Sequence, residues 1–110
     1  MSSHDTLRTF SGAVAIITGG ASGIGQALGE EFAERGGEVV LADRQSDLAE
    51  EVATRIRASG KNATAVDLNV TDYTAVERLV QETLQRTGRL DYMFNNAGIK
   101  KCDKDLSQRF

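Results

Sequence analysis

The stretch AVAIITGGASGIG, residues 13–25, decides how this chain folds. Ala13 to Ile17 form an uninterrupted apolar run, the pattern of a strand buried on both faces in a parallel sheet. A glycine-rich turn follows at once. From Ile24 the apolar residues recur as Ile24, Ala27, Leu28 and Phe32, the spacing of a helix with one inner face. That stripe ends at Gly36-Gly37, where a helix-terminating glycine is expected.

The same alternation continues outward. EVVLAD, residues 38–43, reads as a second buried strand ending at Asp43. Ser46 is placed to cap a second helix, with Asp47, Glu50 and Glu51 near its positive end, Leu48, Val52 and Ile56 inward, and Gly60 as its stop. ATAVDL, residues 63–68, is a third strand. Thr71 is then expected to cap a third helix with Val76, Leu79, Val80, Thr83 and Leu84 on one side, closing near Gly88. LDYMFNN, residues 90–96, follows as a fourth strand. The order βαβαβαβ with short connections predicts right-handed crossovers and a parallel sheet between two helical layers. The expected fold is therefore an α/β, three-layer, doubly wound Rossmann-type sheet, here ending after its fourth strand. Residues 1–110 make one domain, with polar tails at 1–11 and 100–110.

Composition narrows the function. The chain is 40% hydrophobic and 26% charged, which suits a globular protein. A net charge of −3 offers no basic face to a phosphate backbone or an anionic lipid surface, so neither nucleic acid nor membrane is an expected partner. No apolar stretch approaches the roughly 20 residues that cross a bilayer, and the opening MSSHDTLRTF lacks an apolar leader. The expected location is cytoplasmic. Cys102 is the only cysteine and His4 the only histidine, which excludes an internal disulfide and disfavours a zinc site.

In such sheets ligands bind beyond the carboxyl ends of the strands, where strand order reverses. The residues to weigh are therefore those that follow each strand. Gly19, Gly23 and Gly25 are spaced Gly-x-x-x-Gly-x-Gly between a buried strand and an amphipathic helix. A turn that must pass close to a pyrophosphate needs residues without a Cβ, and the helix start behind it offers free N–H groups. The tighter G-x-G-x-x-G fingerprint fails at Leu28, and a P-loop fails because no lysine follows the glycines. Asp43 lies 18 residues past Gly25, close to the separation of about 20 at which an acid meets the adenosine ribose; the alternative is a solvated strand-end acid. A carboxylate there repels a 2′-phosphate, so NAD is favoured over NADP, whereas the adjacent Arg44 argues the other way. Asp67 and Leu68 can accept from and flank an adenine, or Asp67 can simply cap the next turn. In NNAG, residues 95–98, the amides can satisfy neighbouring backbone or line a site.

TGGASGIG with Asp43, VDL at residues 66–68 and NNAG at residues 95–98 together resemble the short-chain dehydrogenase/reductase family of NAD(P)-dependent oxidoreductases. The likeness runs from Gly12 to Ile99. It implies that Gly19, Ser22, Gly23, Ile24 and Gly25 hold the pyrophosphate and that Asp43 binds the ribose. Asp67 and Leu68 would then contact adenine, and Asn95, Ala97 and Gly98 would brace the sheet and line the nicotinamide ribose. Ser22, where NADP-preferring members often carry a basic residue, again favours NAD. The activity implied is hydride transfer between NAD and a secondary alcohol or carbonyl substrate.

The family works through a Tyr-x-x-x-Lys pair, and the sequence has none. Tyr73 is followed four residues later by Glu77 and Tyr92 by Asn96, so no catalytic residue is assigned. Beyond Ile99 the tail KKCDKDLSQRF stops resembling the family and reads as an altered or truncated end, with Lys100, Lys101 and Lys104 as plain surface charges. An open fourth strand is a template for pairing with other chains, and homo-oligomers are an expected consequence. On this reading the chain is either the cofactor half of an enzyme, a holding module without catalysis, or a truncated product that survives by pairing its edge.

Overall fold

The structure, a computed structural model, describes residues 10–96. Its elements are β1 (Val14–Thr18), α1 (Gly23–Glu34), β2 (Glu38–Asp43), α2 (Ser46–Ala58), β3 (Asn62–Asp67), α3 (Tyr73–Thr87) and β4 (Tyr92–Asn95). All strand pairs are parallel and the sheet order is β3-β2-β1-β4. The predicted alternation holds, with strand ends moved by one or two residues.

Strand period sorts the side chains onto two faces. Ala15 and Ile17 of β1, Val39 and Leu41 of β2, and Ala63 of β3 join one buried cluster with Phe32 and Ala33 of α1 and Ala49, Val52, Ala53 and Ile56 of α2. Ile16, Val40 and Ala42 face the other way, onto Leu79 of α3 and the half-buried Val76 and Val80. The chain steps from β1 to β2 to β3 in one direction, so α1 and α2 share a face. It then steps back across β1 to place β4, and a right-handed crossover in that direction puts α3 on the opposite face. The reversal leaves the carboxyl ends of β1 and β4 side by side, with Thr18 opposite Asn95.

The inner faces of the helices differ from their hydropathy reading. Ile24 is 66% exposed and Leu48 41%, and Ala27 is also exposed. The buried residues of α1 are Gly25, Gly29, Phe32 and Ala33. Two glycines carry the stripe, so α1 lies close to the sheet and a count of apolar side chains misplaces its inner face. Small residues have the same effect in α2, where Ala49 and Ala53 accompany Val52 and Ile56 and displace Leu48. In α3, Leu84 falls at the rim.

Two caps are corrected in the same way. Gln45, not Ser46, precedes the first turn of α2, and it makes no side-chain capping bond. Asp72 rather than Thr71 caps α3, its Oδ1 accepting from Ala75 N at 3.2 Å. The Thr71 hydroxyl is instead held in a local turn with Asn69 Oδ1, at 2.7 Å. Asp72→Ala should therefore cost about 1 kcal/mol, the ordinary worth of an N-cap, and Thr71→Ala roughly half that or less. Urea denaturation of both variants checks the order, and a larger loss from Thr71→Ala would restore it as the cap.

At the opposite end of the sheet, Asp91 ties β4 to β1. Its Oδ2 accepts from Val14 N at 2.8 Å, and Arg89 clamps the carboxylate through Nε and Nη2 at 2.8 and 2.9 Å. The Arg89 hydrogen bonds first, and the Val14 N–H second, hold the Asp91 carboxyl below its usual range. A carboxyl depressed in the folded state stabilises at neutral pH, and the contribution is lost as pH falls below the ordinary aspartate range of about 4. Asp91→Asn should flatten the acid limb of the stability curve below about pH 4. Guanidinium titrations at stepped pH check this, and curves of equal slope would exclude the role.

Candidate functional site

The carboxyl ends of the strands open on a cleft of about 630 Å³. Its first wall is the turn from β1 into α1. Gly19 and Gly23 take positive φ of 70° and 61°, a conformation that side-chain-bearing residues rarely adopt. The turn is hung from the end of β2, with Gly19 N donating to Ala42 O at 2.7 Å and Ala21 N to Asp43 Oδ2 at 3.0 Å.

Behind the turn, α1 starts bare. Ser22 sits at its N-cap in extended backbone but makes no side-chain capping bond, and the first turn carries no acid. The neighbouring helices carry negative charge at the same point, Asp47 in the first turn of α2 and the capping Asp72 of α3. The unsatisfied N–H groups of α1 and its positive dipole end therefore face the cleft with no carboxylate in the helix's own first turn. An anion is the complementary occupant.

The second wall is the end of β2. Asp43 lines the cleft beside Arg44 and Gln45. Its two carboxylate oxygens are both engaged, Oδ2 by Ala21 N as above and Oδ1 by Gln45 N at 2.8 Å. Leu68, after β3, supplies an apolar floor; it is 3% exposed and packs with Ile16 and Ala42. Asn69 to Thr71 complete that side.

Of the residues expected from sequence, the structure brings Gly19, Ser22, Gly23, Ile24, Asp43 and Leu68 onto one cleft. Gly25 lies beneath it instead. A Cβ there would overlap the Gly19 carbonyl oxygen and fall 2.7 Å from Asn96 Nδ2, so this glycine allows close packing of helix on turn. Asp67 and Asn95 are exposed and are not on the cleft wall. Ala97 and Gly98 lie outside the described residues.

The family resemblance names Asn95 and not Asn96, yet it is Asn96 that lines the cleft. Its Nδ2 donates to Gly19 O at 3.2 Å, tying β4 to the glycine turn across 77 positions of sequence. Thr18 makes a parallel tie, its hydroxyl donating to Phe94 O at 3.3 Å. Adjacent amides at a strand end were the available signal; which one turns toward the site depends on strand register.

A left-handed glycine cradle, an uncapped helix start, a strand-end acid and an apolar floor around one cleft fit a dinucleotide. Among the described residues no group of side chains is arranged to hold a metal ion, and no helix is long and apolar enough to cross a membrane.

Comparison with known proteins agrees with that geometry. The short chain dehydrogenase family model matches residues 13–109. The chain is 50% identical to tropinone reductase-like 2 of Erythroxylum coca over 88 residues, covering 80% of this chain and 31% of that protein. It is 42% identical to (+)-borneol dehydrogenase 1 of Salvia officinalis over 98 residues, covering 89% of this chain and 36% of that protein. Among solved structures, a hydroxysteroid dehydrogenase from Escherichia coli superimposes with a TM-score of 0.79 at 35% identity, covering 86% of this chain and 40% of that one. The chain spans about a third of the length of the curated relatives it matches. On the family model, the shared sequence and the shared fold, this chain belongs to the short-chain dehydrogenase family, whose members bind NAD(P).

Proposed function

We propose that this chain is the cofactor-holding portion of an NAD-dependent oxidoreductase acting on a secondary alcohol or its carbonyl. The observation that carries the reading is the meeting of the Gly19–Gly23 cradle, the uncapped start of α1 and Asp43 on one cleft. The N–H groups at the start of α1 hold the pyrophosphate. The Asp43 carboxylate accepts from the adenosine ribose hydroxyls, and Leu68 gives the adenine an apolar surface. Asp67, Asn95, Ala97 and Gly98 keep their proposed places beside the cofactor on family resemblance.

Bound NAD supplies the hydride acceptor. The residues of this chain bind and orient; the family's Tyr-x-x-x-Lys pair is not among these 110 residues, so no proton-transfer step is assigned to them. NAD is favoured over NADP for two reasons. Asp43 puts a negative charge where a 2′-phosphate would sit, and Ser22 offers no cation to offset it.

Calorimetric titration with NAD and NADP tests the reading. Saturable NAD binding is expected, weakened roughly 10- to 100-fold by Asp43→Ala, the worth of one or two hydrogen bonds to a charged group. NADP should lose less, because the substitution also removes a repulsion. No saturable heat at millimolar NAD would overturn the proposal, and equal losses for both nucleotides would overturn the ribose role.

A further inference from the structure

We infer that Asp43 is also a positioning residue for the phosphate cradle, so that adenosine recognition and pyrophosphate recognition are one coupled unit. The inference rests on the dinucleotide reading above. A carboxylate that only met ribose hydroxyls would leave its oxygens to solvent or ligand. Here each oxygen already takes a backbone N–H, Ala21 at 3.0 Å on one side and Gln45 at 2.8 Å on the other. A carboxylate has about four acceptor positions, so two remain for hydroxyls while the brace stays in place.

The location of the brace gives it consequence. Ala21 directly precedes Ser22, the N-cap of α1. The turn is held to β2 at three points. Gly19 N and Gly20 N both donate to Ala42 O, at 2.7 and 3.5 Å, and those bonds do not depend on the side chain at position 43. The third, from Ala21, does. Only that bond fixes the part of the turn that leads into the anion-facing helix start. Ala21 is 4% exposed, so without that bond its N–H loses its partner where water has little access, a loss that a shift of the turn relieves.

Two effects then oppose each other for a ligand that has phosphates but no adenosine ribose. By Coulomb attraction alone, removing the Asp43 charge strengthens binding of an anion. By loss of the brace, it weakens it. Inorganic pyrophosphate reads the sign. The experiment titrates the full chain and its Asp43→Ala and Asp43→Asn variants with pyrophosphate and with NAD, and follows amide exchange at Ala21, Ile16 and Leu41 by NMR.

The expected result is a pyrophosphate Kd raised about five-fold in Asp43→Ala, the equivalent of one lost hydrogen bond, and by less in Asp43→Asn, whose remaining amide oxygen can still accept from Ala21 N. Exchange at Ala21 should accelerate while Ile16 and Leu41 stay protected, which separates the brace from general unfolding. Unchanged or tighter pyrophosphate binding with weakened NAD binding overturns the inference and leaves the dinucleotide reading standing. Failure of the wild-type chain to bind either ligand overturns both. If Asp43→Ala fails to fold, Asp43→Leu, which is close to Asp in shape and carries no acceptor oxygen, carries the same comparison.

Discussion

Gly25→Ala is expected to lower the stability of this chain by about 3 kcal/mol, near the upper end for overpacking a close contact. For a domain of this size that is a fall of roughly 10–20 °C in Tm. Helix propensity alone predicts the opposite. Gly25 lies in the first turn of α1 without a positive φ, and alanine in an ordinary helical position is favoured by about 1 kcal/mol. Sterics reverse the sign because the added Cβ would overlap the Gly19 carbonyl oxygen and lie 2.8 Å from Gly19 C and 2.7 Å from Asn96 Nδ2. The first two are backbone atoms that cannot rotate away. Moving them breaks the Asn96 tie and shifts the cradle, so NAD binding should fall below detection together with Tm. Differential scanning calorimetry beside NAD titration checks both. A Tm equal to or above that of the unsubstituted chain would show that helix and turn are not packed as closely as described.

Leu41→Ala should cost about 3–4 kcal/mol, the usual range for emptying a leucine site in a packed core. Leu41 is fully buried on β2, on the face covered by α1 and α2. Its Cδ2 lies 3.0 Å from where a Cβ at Gly20 would stand and 2.7 Å from where one at Gly29 would. The side chain thus fills the space beneath both the turn and the helix. That arrangement makes a second, sharper expectation. Gly29→Ala alone should destabilise by about 1–2 kcal/mol, since Leu41 must shift to admit the methyl. In the Leu41→Ala background the methyl has room, and Gly29→Ala should become neutral or stabilising as its helix propensity of about 1 kcal/mol is realised. Urea denaturation of the two single variants and the double variant gives the coupling energy. Additive losses would mean that the two positions do not compete for one space.

The fold was largely legible because it depends on local repetition. Ala13–Ile17 and EVVLAD are apolar without a break, glycines stand at Gly36, Gly60 and Gly88, and the intervening stretches have helical spacing. Each of these signals lies within a window of fewer than about 20 residues, the scale on which hydropathy patterns carry information. Helix faces were less legible. Ile24 and Leu48 are apolar and in phase, but Gly25, Gly29, Ala49 and Ala53 take the inner positions. Close approach of helix to sheet selects small residues, and small residues have little hydropathic weight. The capping error at Thr71 has a related cause: two adjacent residues both suit the position, and only backbone geometry chooses between them.

Sequence by itself determined the order of the elements, the parallel sheet, and a glycine turn set between a buried strand and a helix. These follow from residue type and spacing along the chain, where sterics and burial act locally. The tertiary structure alone decided that Gly25 is a packing glycine and that Asn96 reaches the Gly19 carbonyl. It also decided that both Asp43 oxygens are engaged by backbone N–H groups. The longer of these contacts join residues 22 and 77 positions apart. Their existence depends on the register of β1 against β2 and β4, which sets every side chain on the sheet at once.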